Sequence, residues 1–274
     1  MKLKTFYSVL NKTLAVFGLV LLLSACGEYQ RVLKSTDIEY KFEKAVEYYE
    51  AGKYDKAYPL FDELNTLFRG TQKAKDVYFY YASTLYGMGD YILAGYHFKN
   101  FTETFPSNEK AEEAAFMTAY CYYLESPKSS LDQTFTYKAI NELQLFVNRY
   151  PTSKWLQESN DLMDDMRSKL EEKSFYIAKG YHRTQYYQAA VTAFTNSLNE
   201  FPDTPYREES MYLKLESAYE LARNSITTKQ LQRYKETLTA YYEFKQNYPQ
   251  SKWNIEAERI FVRTNDHIKE LKSI

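Results

Sequence analysis

One frame of residues recurs along this chain and leaves little choice of fold. Tyr91, Ala94, Phe98, Phe101 and Pro106 form one copy, and Thr136, Ala139, Leu143, Phe146 and Pro151 the next. Tyr187, Ala190, Phe194, Ser197 and Pro202 follow, then Tyr234, Thr237, Tyr241, Phe244 and Pro249. A first copy, Tyr54, Ala57, Phe61 and Leu64, ends at Arg69 where the Pro would stand. Steps of three, four and three residues put one stripe on a helix, and the Pro stops that helix. Five copies of one unit mean a helical solenoid, an architecture that binds other proteins more often than it does chemistry.

The composition agrees with an all-α chain. Only 8 Gly and 7 Pro occur in 274 residues, too few for the turns of an all-β fold of this length. Tyr contributes 29 residues, and a Tyr ring can pack on the next repeat while its hydroxyl stays wet. A net charge of −1 gives no electrostatic basis for a nucleic-acid partner.

Residues 1–25 stand apart. Lys2, Lys4 and Lys12 precede a short apolar run from Leu14 to Leu23, the layout of a secretory signal and too brief to span a bilayer comfortably. The run ends in Leu23-Ser24-Ala25-Cys26, which resembles the lipobox of bacterial lipoproteins. That resemblance implies removal of residues 1–25 and lipid on Cys26, an anchor that needs no transmembrane helix. Gly27 after the Cys favours, by the same resemblance, the outer membrane. The mature chain then carries a charge of about −4. Residues 26–37 are expected to form a short lipidated tether. Cys121, the other Cys, has no disulfide partner and is expected to be a small buried filler.

The helix pair can be read around Gly87-Met88-Gly89-Asp90. A leading helix over Asp76–Gly87 reverses at the glycines into a second helix over Tyr91–Thr104. Glu39–Glu50 leads into Gly52-Lys53-Tyr54 in the same way. The unit resembles the tetratricopeptide repeat, with a match over about residues 38–250. Terminal markers fall 37, 45, 51 and 47 residues apart, so extra residues lie between repeats. Glu125–Asp132 is expected to be a loop insertion. Lys154 to about Tyr181 holds no break before Gly180, and Leu156, Met163, Met166, Leu170, Ile177 and Tyr181 predict one long helix. The expected fold is therefore an all-α, tetratricopeptide-like solenoid of about five helix pairs, in two lobes joined by that helix. Residues 38–153 would form the first lobe, and 154–274 the connecting helix and second lobe.

Tyr150-Pro151-Thr152-Ser153-Lys154-Trp155, the charged helix through Lys169–Lys173, Ala178-x-x-Tyr181 and Phe201-Pro202-Asp203-Thr204 resemble, in this order, the BamD family of outer-membrane β-barrel assembly lipoproteins. The resemblance implies a periplasmic solenoid hung from the outer membrane. Its first lobe would hold segments of unfolded outer-membrane proteins, and its second would dock on a BamA-like insertase. Carried over by position, Phe42, Val46, Tyr49, Phe79, Ser83 and Tyr86 would line the client groove, the alternative being that such aromatics pack between repeats. Arg183 and Tyr186 would border the insertase contact; Tyr187 occupies a core position of the repeat frame. Ser251–Ile274 lies beyond the alignable segment and reads as an amphipathic end cap through Ile255, Ile260, Val262 and Ile268.

No enzyme is expected. His97, His182 and His267 are isolated, and no HExxH or phosphate loop occurs, so neither a metal nor a cofactor is expected. Asp161, Asp164 and Asp165 read as a solvated helix face. Two other functions fit a lipidated helical-repeat chain: a SusD-like nutrient-binding surface lipoprotein, although that family is about twice as long, and a generic periplasmic scaffold.

Overall fold

The structure is a computed structural model that describes residues 27–273. The signal segment and Cys26 lie outside the described residues. Helical turns at 27–33 come first, then five helix pairs. These are α1 (Ile38–Glu50) with α2 (Tyr54–Leu67), α3 (Ala74–Gly87) with α4 (Tyr91–Thr104), and α5 (Ala111–Glu125) with α6 (Thr134–Arg149). Next are α7 (Leu156–Arg183) with α8 (Tyr187–Glu200), and α9 (Arg207–Arg223) with α10 (Thr227–Asn247). A single helix, α11 (Asn254–Ser273), ends the series, and no strand occurs among the described residues.

The repeating frame is the core. Ala57, Ala94, Ala139, Ala190 and Thr237 are buried, as are the apolar residues four and seven positions after them, with Ser197 in the last place of the fourth copy. The small residue lets the paired helices approach closely. Gly87 shows the same logic between pairs: a Cβ there would fall 2.5 Å from the Tyr54 ring, so the Tyr lies directly on the next leading helix. The reversal inside each early pair needs a left-handed residue, supplied by Gly52 (φ 68°) and Gly89 (φ 81°). The fourth pair has Gln185 (φ 62°) in that place, the only non-Gly residue with positive φ among the described residues.

A second regularity links one pair to the next. After each second helix the chain makes the same turn, in which Thr71, Asn108, Ser153, Thr204 and Ser251 donate their N–H to the carbonyl of Phe68, Phe105, Tyr150, Phe201 and Tyr248. In four of the five, the turn side chain then accepts the N–H two residues on: Lys110, Trp155, Tyr206 and Trp253. That residue, with Lys73 in the first copy, lies over a ring of the preceding leading helix. The pairs are Lys73 over Phe42, Lys110 over Phe79, Trp155 on Phe116, Tyr206 on Phe175 and Trp253 on Tyr212.

Two compact units result. Among the described residues, the first comprises 27–126 and 134–160, the second 127–133 and 161–273, so the division falls inside α7. That helix is 28 residues long, and its apolar stripe departs from the expected one. Met166 and Leu170 are buried as expected, but Phe175 and Ala178 continue the stripe, while Ile177 and Tyr181 are exposed. The physical reason is that the C-terminal half of α7 serves as the leading helix of the fourth pair and must take its register. In α11, Ala257, Ile260, Thr264 and Ile268 face the core; Ile255 and Val262, expected on that face, are exposed.

The expected tether also differs. Residues 27–33 are helical and packed: Val32 is 0 % exposed, the Tyr29 ring meets Tyr48 edge-on at 5.6 Å, and Tyr29 Oη donates to the Lys56 carbonyl. Among the described residues no repeat precedes the first pair to cover its open end, and Val32 and Leu33 supply the apolar surface that does so. The segment is folded as a cap.

Candidate functional site

The leading helices present residues at matched places 37 apart. Phe42, Val46 and Tyr49 on α1 correspond to Phe79, Ser83 and Tyr86 on α3, and to Phe116, Tyr120 and Tyr123 on α5. Spacings of four and three set each trio on one helix face. The rings join across helices: Tyr80 meets Phe42 at 6.2 Å and Tyr49 at 5.3 Å, and Tyr86 meets Tyr120 at 6.4 Å. Tyr120 stacks on both Phe116 (5.7 Å) and Tyr123 (5.8 Å), and Phe116 lies under Trp155.

Of the six residues expected in the groove, Phe42, Val46, Tyr49 and Tyr86 are partly exposed on this stripe. Phe79, 8 % exposed, packs on Phe98 and Phe101, and Ser83 is buried with its hydroxyl donated to the Phe79 carbonyl; both belong to the core. Tyr80, Tyr120 and Tyr123 join the stripe, and Lys73 and Lys110 its margin, without having been expected there. The 37-residue step from Phe42 through Phe79 to Phe116 is the signal that finds the α5 members.

Burial pushes the phenols of Tyr49, Tyr80 and Tyr86 above their ordinary value, for Tyr49 against a partial offset from its hydrogen bond with Ser83. They therefore stay neutral at physiological pH, and the stripe is aromatic, hydroxyl-bearing and uncharged. Positive charge lies at its margin. Lys73 Nζ is 5.1 Å from the Phe42 ring and also pairs with Glu39, and Lys110 Nζ is 4.7 Å from Phe79 and 5.0 Å from Tyr80. A Lys on an aromatic face is held by about 0.5–1 kcal/mol when exposed, little enough for a ligand to displace its flexible stem.

The matched places in the second unit are of a different kind. Phe175 is followed by Lys179 and His182, and Tyr212 by Glu216 and Tyr219. Lys179 pairs with Glu209 at 2.7 Å, and His182 meets the Ser217 hydroxyl at 2.9 Å and Glu216 at 3.6 Å. This face satisfies itself, and its rings carry rigid Tyr206 and Trp253 lids.

The second unit instead offers a hollow of about 690 Å³ at the α7–α8 corner, whose lining includes Tyr181, Tyr186, Tyr187, Ala189, Ala193 and Leu221. Tyr186, expected at a partner contact, is 67 % exposed at its rim. Arg183 is the last residue of α7, exposed beside the corner, and is not among the residues lining the hollow. Tyr187 lies partly buried in the frame. Gln185 in its left-handed conformation sets the direction in which Tyr186 projects.

No group of His, Cys, Asp and Glu suited to a metal occurs among the described residues. The histidines pack individually: His97 against Tyr78 (3.0 Å to the hydroxyl), His182 as above, and His267 stacked on Tyr234 at 5.0 Å. Asp161, Asp164 and Asp165 do not converge on a cation site. Cys121 is buried against Gly95, and burial pushes its thiol up to about 12, so it is unreactive.

The chain is similar in sequence to known proteins. A putative outer membrane protein assembly factor BamD of Aquifex aeolicus is 27% identical over 227 residues, covering 82% of this chain and 72% of that protein. The outer membrane protein assembly factor BamD of Rickettsia prowazekii is 23% identical over 208 residues, covering 76% and 79%. Among solved structures, the TPR2AB domain of yeast Sti1 in its pHSP90 complex aligns over 86% of this chain and 93% of that one, with 13% identity and a TM-score of 0.38. The family model described as YfiO, outer membrane lipoprotein, matches residues 35–230, well over half of the sequence. The chain belongs to the YfiO family of outer membrane lipoproteins.

Proposed function

We propose that this protein is an outer-membrane protein assembly factor that holds unfolded barrel segments on its first unit and docks an insertase through its second. The assembly role rests on its relatives, which bear that function in their names. The division of labour rests on one observation: the two units carry different surfaces at equivalent places. The aromatic stripe of the first unit is neutral, with displaceable lysines at its edge, and suits extended segments that alternate apolar and polar side chains. The corresponding face of the second unit is paired with itself, and an apolar hollow opens at the α7–α8 corner. There Arg183 and Tyr186 would meet a BamA-like partner, since Arg and Tyr are the side chains that interfaces enrich. The protein is a binding scaffold and not an enzyme. Lipid on Cys26 would hold it at the periplasmic face of the outer membrane.

Affinity purification from a mild-detergent extract tests the reading. Recovery of a large β-barrel protein with periplasmic repeat domains is the expected result. Recovery of only a TonB-dependent transporter would replace it with nutrient uptake.

A further inference from the structure

The segment that follows Cys26 is built into the first repeat. Gly27 opens helical turns whose contacts run back along both helices of the first pair. Glu28 pairs with Lys44 at 3.1 Å, Tyr29 Oη reaches the Lys56 carbonyl at 3.3 Å, and Lys56 Nζ lies 5.6 Å from the Tyr29 ring. Val32 is wholly enclosed in the core of the first unit, with Leu33 against it. Lys41, only 2 % exposed, donates to the Leu33 carbonyl at 3.2 Å and to both oxygens of Glu63 at 2.7 and 2.8 Å. Ser35 accepts the N–H of Asp37, and Asp37 caps α1 through the N–H groups of Glu39 and Tyr40. From Glu28 to α1 no stretch is left that could act as a loose leash.

We infer that the lipid anchor of this protein has no slack, so that the capped end of the first repeat is held directly against the phospholipid surface. The inference rests on the proposed lipidation of Cys26. One peptide bond joins Cys26 to Gly27, and consecutive Cα atoms are about 3.8 Å apart. The lipid-bearing residue therefore cannot move more than about that distance from a helix fastened to the core. A ten-residue flexible tether would instead allow a root-mean-square reach of about 18 Å. The membrane fixes the height, and restricts the tilt, of the aromatic stripe, which begins on α1 beside the cap. The molecule acts as a strut at the bilayer and not as a freely ranging scavenger.

The test compares the full-length lipidated chain with a variant carrying about ten Gly/Ser residues inserted between Gly27 and Glu28, which leaves Cys26-Gly27 and the contacts of Glu28, Tyr29, Val32 and Leu33 in place. Both carry a dye at exposed position 53 through Lys53→Cys and are reconstituted into phospholipid vesicles with headgroup acceptors. The parent chain should give high, narrowly distributed energy transfer, and the insertion should lower and broaden it, as a displacement of about 18 Å requires. Val32→Ser, which loosens the cap without lengthening the chain, should broaden the parent signal in the same direction. In hydrogen exchange, the amides of Lys34 and Ser35, bonded to the Gln30 and Val32 carbonyls, should be protected. Equal and broad transfer in parent and insertion, with lipid present by intact mass, overturns the stiff anchor alone. Absence of lipid mass on the parent, with no release from membranes by Cys26→Ala, overturns the anchor reading and this inference together.

Discussion

Lys110→Trp separates the structural role of the ring register from its binding role. In the last three pairs the equivalent residue is an aromatic lid, with centroid distances of 5.3, 4.5 and 5.4 Å and interplanar angles of 8°, 10° and 8°. In the first unit Lys110 occupies the same turn, and its N–H is bonded to Asn108 Oδ1 as that of Trp155 is to Ser153 Oγ. The backbone is thus already set for a stacked ring. The change removes a Lys–ring contact of about 0.5–1 kcal/mol and adds an aromatic pair of about 0.5–1.5 kcal/mol. About 40 Å² of extra apolar burial adds ~1 kcal/mol. The net stabilisation of ~1 kcal/mol corresponds to a rise in Tm of about 2–4 °C for a chain of this size. A rigid lid in the place of Lys110, whose Nζ lies 5.0 Å from the partly exposed Tyr80 ring, should at the same time exclude a client side chain from that ring. Losing one buried apolar anchor of ~1.5–3 kcal/mol weakens binding roughly 10- to 100-fold. Thermal unfolding by circular dichroism and fluorescence anisotropy with a labelled, urea-diluted barrel segment read the two effects. A higher Tm with unchanged affinity would refute the placing of clients at this ring. A lower Tm would refute the equivalence of Lys110 with the aromatic lids.

Three further outcomes are expected. Gln185→Gly should relieve a left-handed strain of about 1–2 kcal/mol against about 0.4–1 kcal/mol of added unfolded-state entropy; a denaturant midpoint that falls would contradict the backbone assignment at φ 62°. Burial holds the His97 imidazole below its ordinary value, against weaker opposing effects of Asp62 and Asp90. Its contribution to stability is therefore full above about pH 6.5 and declines as pH falls below that value, where the unfolded chain takes up the proton first. His97→Gln should flatten the stability profile below about pH 6.5, and an unchanged slope would assign the acid sensitivity elsewhere. Arg183→Glu, at an exposed helix end, should cut capture of the barrel partner several-fold with helical content unchanged; loss of fold instead would make Arg183 structural.

Much of the fold was legible because one frame specified both the core and the helix ends. Ala94, Phe98 and Phe101 sit at steps that no strand could use, and Gly89 and Pro106 bracket their helix. The surface was less legible, because a leading-helix ring is ambiguous until its lid is known. Phe42 and Phe79 occupy equivalent places, yet Phe79 is shut into the core by Phe98 and Phe101 while Phe42 keeps an exposed edge. Residues 27–33 illustrate the limit from the other side. So short a segment gives too little periodicity to predict a helix, and only the exposed end of the first repeat makes burial of Val32 favourable. On α7, the spacing of seven from Leu170 pointed to Ile177 as the next core residue, and the register of the fourth pair buries Phe175 instead.

Site-specific photo-crosslinking in living cells shows which unit meets the client. A photoreactive residue at Tyr120 or Tyr123 lies on the first unit's stripe, and one at Tyr242, exposed on α10, serves as the comparison. If clients lie on the first unit's stripe, adducts with nascent outer-membrane barrel proteins form at Tyr120 and Tyr123 and none at Tyr242. Equal capture at all three positions, or capture at Tyr242 alone, would contradict that placing.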